Sequence, residues 1–215
     1  MNSRYFTYGC LGLLLGLLAC TERVDPAVGR VYNDDRSFSV GLEPDRQPLG
    51  MVFAMEAGPD SAYAYIVALT ECRLPLSSDR HYLAGDTSQL SFSGLVGTLR
   101  WRDSLSCETL SRYLDRYGEG WFIPSVGEWR LLRDSLSAMN DRLALLPGAD
   151  LLCLGQYWTT TAHTERDYGY CAVAYDMYSD SFGLYNRADS CRVRPMRRVL
   201  LQGSWWKKFK ENKTF

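Results

Sequence analysis

Histidine is scarce in this chain: His81 and His163 are the only two among 215 residues. No Cys-x-x-Cys pair, His-Glu-x-x-His helix, Gly-x-Ser-x-Gly elbow or phosphate-cradling glycine loop occurs. The absence of these strings removes the recognisable zinc, serine-hydrolase and nucleotide sites from consideration. There is no surplus of either charge: 24 Lys and Arg stand against 25 Asp and Glu, for a net charge of −1. A chain so balanced has no bulk attraction for nucleic acid. No internal repeat is visible, and the 46% apolar content excludes disorder and suffices for one proper core.

What is present begins with a processing signal. Tyr5 to Leu18 is an apolar run broken by Gly9, Gly12 and Gly16, with Arg4 as the only charge before it. It is too short and glycine-rich for a stable spanning helix and reads as a signal-peptide core. The run closes on Leu17-Leu18-Ala19-Cys20, which resembles the lipobox cut by lipoprotein signal peptidase. Residues 1–19 are then the leader, Cys20 the lipidated residue, and 20–27 a tether ending near Pro26. An ordinary secretory leader with a chance cysteine is the alternative. Five cysteines follow Cys20, namely Cys72, Cys107, Cys153, Cys171 and Cys191. Export makes disulfides plausible, and the odd number leaves at least one thiol free or paired between chains.

Along the chain, Val28 to Tyr32 and Ser37 to Val40 read as short strands around the turn Asn33-Asp34-Asp35. Met51 to Met55 and the alternating Tyr63, Tyr65, Val67, Leu69 form an early hairpin about Gly58-Pro59-Asp60. Pro75 to Gly97 shows little periodicity and reads as a long surface loop. Leu110, Tyr113, Leu114 and Tyr117 then make one helical stripe, closed by Gly118. Ser125-x-x-Glu128 is a capping box behind Pro124, opening a helix with Trp129, Leu132, Leu136 and Met139 on one face. That structural role accounts for Glu128 without catalysis. Tyr157 to Thr161, then Cys171 with Val173 and Tyr175, then Phe182 with Leu184, read as strands. Arg192 to Arg198 is the last strand, with Val193 inward and Arg192 and Arg194 outward. This order predicts an α+β domain over 28–202. The tail 203–215 mixes Trp205, Trp206 and Phe209 with four lysines and one glutamate. It suits an anionic membrane surface, a frayed solvated end, or tryptophans folded back on the domain.

Three strings carry a resemblance: Gly120-Trp121-Phe122-Ile123-Pro124-Ser125-Val126-Gly127-Glu128-Trp129, Tyr157-Trp158-Thr159-Thr160-Thr161, and Val193-Arg194-Pro195-Met196-Arg197-Arg198. In this order they resemble the major paralogous domain of bacterial lipoproteins, distantly similar to the formylglycine-generating sulfatase-modifying enzymes. The resemblance runs from about Val28 to Val199. It implies a C-type-lectin-like fold, with a mixed or antiparallel sheet flanked by two helices and terminal strands near each other. The calcium-binding triplets of lectin relatives are incomplete here: Glu43-Pro44-Asp45 and Gln47-Pro48-Leu49 both precede the hairpin. Calcium needs six to eight oxygens, so neither a metal nor any other cofactor is expected.

The function expected is a lipid-anchored protein of the bacterial envelope, on the outer membrane, acting as a non-enzymatic ligand-binding or adhesion module for a glycan, peptide or protein. A structural subunit of an envelope or fimbrial assembly is the alternative, and a formylglycine-generating-type oxidase a third. In lectin-like folds the loops between the final strands form the presented face. Here those are Ala162 to Gly169, Tyr178 to Ser181 and Asn186 to Ser190, and they offer Arg166, Tyr168, Tyr178 and Asp189 as ligand contacts. Solvated turn residues are the blander account of the same loops. His163 with Glu165 and Asp167 is a loop trio better read as solvated than as a metal site. Cys171 and Cys191 are the expected disulfide, on strands thought to run side by side, with Cys72 and Cys107 as a second pair.

Overall fold

A computed structural model of the chain describes residues 24–57, 61–77, 85–104, 108–164 and 169–201. Cys20, the leader, most of the tether, the Gly58-Pro59-Asp60 turn, His81, Cys107, Glu165 to Tyr168 and the tail lie outside them. The described residues form an α+β structure with two sheets and four helices.

The early hairpin forms as expected. β3 (Pro48–Ala57) and β4 (Ala62–Ala68) pair antiparallel from Gly50↔Ala68 to Ala57↔Ala62, with a bulge between Val52 and Ala54. β1 (Val31–Asn33) adds to β3 and carries β2 (Phe38–Ser39) at the edge. Both faces of this sheet are buried centrally, so β4 reads as an almost continuous apolar run. β11 (Met196–Leu201) lies along β4 and also meets β6 (Trp121–Phe122). The first sheet therefore runs β2-β1-β3-β4-β11-β6. The terminal strands share this sheet but do not pair, because the β3–β4 hairpin stands between them.

The second sheet runs β5-β10-β7-β8-β9, with β5 (Cys72–Leu74), β7 (Gln156–Trp158), β8 (Cys171–Asp176), β9 (Ser181–Asn186) and β10 (Cys191–Val193). The single strand expected over Arg192 to Arg198 is thus two strands in two sheets. Pro195 cannot donate to a ladder, and the chain leaves one sheet for the other at Arg194-Pro195.

Two helices were expected and four are present. α1 (Gly94–Ser104) starts within the segment read as loop. Its inward positions are Gly94, Gly97, Thr98 and Trp101, so the inner face shows no aliphatic stripe. The Gly97 Cα packs so closely on Thr160 that an added Cβ would sit 2.5 Å from the threonine Cβ. α2 (Glu108–Asp115) buries Leu110, Tyr113 and Leu114, and Gly118 behind it adopts φ +82°. The long helix expected after Ser125 divides into α3 (Val126–Arg133) and α4 (Leu136–Leu143). Trp129, Leu132, Met139 and Leu143 still share one core with Phe53, Tyr65, Val67 and Tyr175. Trp121, Trp129 and Trp158 are all buried. Trp158 fills a second core with Leu74, Trp101, Leu114 and Val193, its indole N–H donating to the Leu74 carbonyl at 2.9 Å.

Candidate functional site

The joint between the sheets is held by a charged cluster. Glu71 lies in the link from β4 to β5, and its side chain is only 7% exposed. Its carboxylate receives Arg192 on one oxygen and Arg194, at 3.4 Å, on the other. The Tyr157 hydroxyl donates to it at 2.9 Å. Burial first, and Glu71 after it, push that hydroxyl well above the usual tyrosine range, so it stays a donor. The backbone amide of Glu71 donates to Asp150 at 2.9 Å, tying the link to the loop before β7.

Arg194 was expected outward, and the structure buries it completely. Its Nε donates to the Ala68 carbonyl at 2.8 Å, and its Nη2 to Leu69 at 3.0 Å and Asp150 at 2.8 Å. Strand alternation would turn Arg194 away from the core only if the strand continued. Because the chain changes sheet there, the guanidinium enters the seam and caps carbonyls that neither ladder uses. The signal was the proline that follows it.

Beside the cluster lies an open cleft of about 290 Å³. It is lined by Glu71, Cys72 and Arg73 from the β4–β5 link and β5, by Asp150, Leu151 and Cys153 from the loop before β7, and by Arg192. Arg73 also donates to the Ser190 carbonyl at 3.1 Å. The cleft offers groups of both signs, of which Arg192 is held by the part-buried bond to Glu71, while the side-chain bonds of Arg73 and Asp150 lie at the surface. Burial pushes the Cys72 thiol up to about 11, so it is protonated at neutral pH and a weak nucleophile. Among the described residues no three His, Cys, Asp or Glu side chains are grouped to hold a metal ion.

A second buried polar node lies at the start of α3. The Ser125 hydroxyl accepts from the Glu128 amide, and the Glu128 carboxylate accepts from the Ser125 amide at 2.7 Å, completing the expected capping box. The same hydroxyl lies 2.6 Å from the Ser91 carbonyl. Burial drives the Glu128 carboxyl up to about 7, against the opposing hydrogen bonds from Ser125 and Gly94. Such a value suits an acid–base group. The residue is only 2% exposed, and its carboxyl faces the Ser125 amide and hydroxyl.

Of the expected contact residues, Tyr178 and Asp189 lie at opposite ends of the β8–β9 hairpin. Tyr178 is exposed in the turn between β8 and β9, beyond the Asp176↔Ser181 pair. Asp189 follows β9, beyond the Cys171↔Asn186 pair at the other end. A six-residue hairpin of this kind separates its ends by about 17 Å. The Arg187 amide donates to the Tyr170 carbonyl at 3.0 Å, which holds the Asp189 turn to the end of the Ala162 to Gly169 loop. Arg166 and Tyr168 of that loop lie outside the described residues. Asp189 also neighbours Ser190, on which Arg73 of the cleft rests. Tyr178 is therefore separated from Asp189, which stands next to the cleft.

The expected disulfide is not formed. Cys171 and Cys191 are free thiols, as are Cys72 and Cys153. Cys171 opens β8 and Cys191 opens β10, and β7 lies between those strands. The expectation failed because it assumed that strands near in sequence were neighbours in the sheet. Cys107, the second expected partner of Cys72, is outside the described residues. Compared with models of known protein families, with curated proteins and with solved structures, the chain matches none.

Proposed function

We propose that this chain is a lipid-anchored bacterial envelope protein whose domain, of C-type-lectin-like type, binds a ligand without chemically altering it. The anchor rests on the apolar leader and on Leu17-Leu18-Ala19-Cys20. The fold reading rests on the order strands, helices, strands, with the final strand joining the sheet that holds the first. No helix of the described residues is long and apolar enough to cross a membrane. Residence in the envelope is therefore assigned to acyl chains on Cys20, of which two or more are needed for a stable hold.

The observation that carries the binding reading is the cleft beside Glu71. Its Arg192 is held by the Glu71 carboxylate, and Arg73 and Asp150 line the same opening. Side chains held in place before a ligand arrives lose little entropy on binding, which favours recognition of hydrogen-bonding groups. A ligand with both acceptors and donors, such as a glycan or a polar peptide segment, fits that lining. The expected Asp189 belongs to the rim of this surface.

The test is a screen of immobilised glycans and peptides with the full chain, followed by Arg73→Ala on any hit. Arg73 is exposed and donates to the Ser190 carbonyl at the surface, so its removal spares the core. Affinity is expected to fall by more than about 1 kcal/mol with an unchanged melting temperature. Unchanged affinity in both Arg73→Ala and Asp150→Ala would place the binding surface elsewhere.

A further inference from the structure

β9 closes one end of the second sheet and carries none of the usual guards of a sheet edge. Of the sheet ends among the described residues, β2 and β6 are 2 residues long, and β5 is 3 residues long with Arg73 at its middle. β9 runs for 6 residues, Ser181-Phe182-Gly183-Leu184-Tyr185-Asn186, without a charged side chain, a proline or a register shift. A long edge of that kind offers a row of backbone groups to another strand, which is why folded proteins shorten, charge or bend their edges.

The pairing with β8 decides which groups β9 offers. The Arg187 amide donates to the Tyr170 carbonyl at 3.0 Å, one step beyond the Cys171↔Asn186 pair. In an antiparallel ladder, pairs that exchange hydrogen bonds alternate with pairs that do not. Counting back from Arg187, Tyr185 and Gly183 bond to β8. Phe182, Leu184 and Asn186 turn their N–H and C=O groups away from β8, toward the open edge. The Asn186 carbonyl takes the Asp189 amide at 3.0 Å. Among the described residues no further strand pairs with β9. Leu184 is central in the outward set. Its side chain and that of Phe182 pack half-buried on the first core, and Tyr185 packs on the second, across the sheet.

We propose that β9 pairs antiparallel with β9 of a second copy of this chain, about a two-fold axis at Leu184. The two Leu184 residues then exchange N–H and C=O across the axis. Each Asn186 amide reaches the Phe182 carbonyl of the other copy. A two-fold perpendicular to the sheet keeps every side chain on its own face, so Leu184 meets Leu184, Phe182 meets Asn186 and Gly183 meets Tyr185.

Charge selects this occupant. A strand paired with its own copy sets like against like, so one charge near the axis would oppose it. β9 has none. At one end Asp180 falls opposite Ala188, and its carboxylate already faces Arg130 and Arg133 at 3.5 Å. At the other end Arg187 is buried and falls opposite Ser181. Nothing charged on β9 marks out a foreign segment, while the same strand matches it in length and hydrogen-bonding order. The cleft lies at the β5–β10 end of the sheet, with β7 and β8 between it and β9. Two joined copies carry their clefts at the far edges of one continuous sheet, and the joint stands whether or not the cleft binds a ligand.

The test is sedimentation equilibrium of the full chain, in detergent matched to the solvent density, over a wide range of concentration. A reversible monomer–dimer equilibrium is expected. Leu184→Lys and Leu184→Glu each place like charges on the axis and are expected to weaken the dimer roughly tenfold or more. An equimolar mixture of the two is expected to restore it, because opposite charges then meet. Hydrogen exchange of the unaltered chain reads the joint without a substitution. The amides of Phe182, Leu184 and Asn186 are expected to slow as concentration rises, while those of Gly183 and Tyr185 are slow throughout. If the variants melt early, hydrogen exchange decides alone.

A chain that stays monomeric overturns the proposal. So does a dimer that folded Leu184→Lys and Leu184→Glu leave intact, or a mixture of the two that stays dissociated. Exchange at Leu184 that ignores concentration overturns it as well. A monomer whose outward β9 amides slow only when an uncharged extended peptide is added does the same, in favour of strand addition by another protein.

Discussion

Arg194 and Glu71 meet at 3.4 Å in the seam between the two sheets, 123 positions apart in sequence. Neither belongs to a strand, and each closes what the other leaves open. The arginine supplies donors to three carbonyls and a cation to the carboxylate. Arg194→Met is expected to cost about 3–5 kcal/mol, the loss seen when one partner of a buried pair is removed. Arg194→Lys is expected to recover little, because an ammonium cannot present the planar fork that serves Ala68, Leu69 and Asp150 together. Urea unfolding of both variants reads this directly. A loss below about 1 kcal/mol in Arg194→Met would mean that water replaces the guanidinium at no cost.

Glu128 makes stability depend on pH in an unusual direction for a carboxylate. Its folded pKa, about 7, lies above the ordinary value of 4.5. The folded state therefore holds the proton more tightly than the unfolded chain. The contribution is complete below about pH 4.5 and is lost as pH rises through about 7, an effect on the order of 3 kcal/mol. Glu128→Gln keeps the capping geometry and is expected to flatten this dependence. The check is the denaturation midpoint between pH 5 and pH 8 for both proteins, assays spaced to bracket the transition. Equal slopes would show that Glu128 does not titrate there.

Gly97 gives a case where two effects oppose. Alanine favours a helix interior over glycine by about 1 kcal/mol. The new Cβ would sit 2.5 Å from the Thr160 Cβ. Overpacking of that kind costs about 1–3 kcal/mol, and Thr160 is buried with little room to shift. Gly97→Ala is therefore expected to lower the melting temperature. A rise would mean that α1 can move outward from Thr160 freely.

The thiols should behave as four separate groups in the described fold. Burial pushes both Cys72 and Cys191 up to about 11, so each is expected to react slowly with an alkylating reagent near neutral pH. Non-reducing peptide mapping is expected to recover Cys171 and Cys191 unlinked. A peptide containing both, joined, would restore the strand neighbourhood that the sheet order excludes.

Local chemistry was readable and sheet order was not. Ser125 with Glu128 announces its helix because a capping box needs only residues three apart. The β3–β4 hairpin, and the burial of Trp121, Trp129 and Trp158, follow from alternation and residue size. The division of Arg192 to Arg198 into two sheets depends on what lies beside each strand, which no local pattern records. α1 was hidden for a related reason: its inner face uses glycine and threonine, and its aliphatic residues point out. Of the cleft, none of the lining residues was singled out as a ligand contact. Glu71 and Arg73 were not legible, because their partners come from positions more than a hundred residues away.

The run from β10 through Arg194 and Pro195 to β11 has a consequence for how the domain comes apart. One short length of chain is an inner strand of both sheets, so its release disrupts each of them. Unfolding is expected to couple the two sheets, with calorimetric and van't Hoff enthalpies that agree, although the described residues form three apolar clusters that would otherwise invite separate transitions. A force applied at the C-terminal end would load β11 against β4 in shear. The domain would then yield late and all at once.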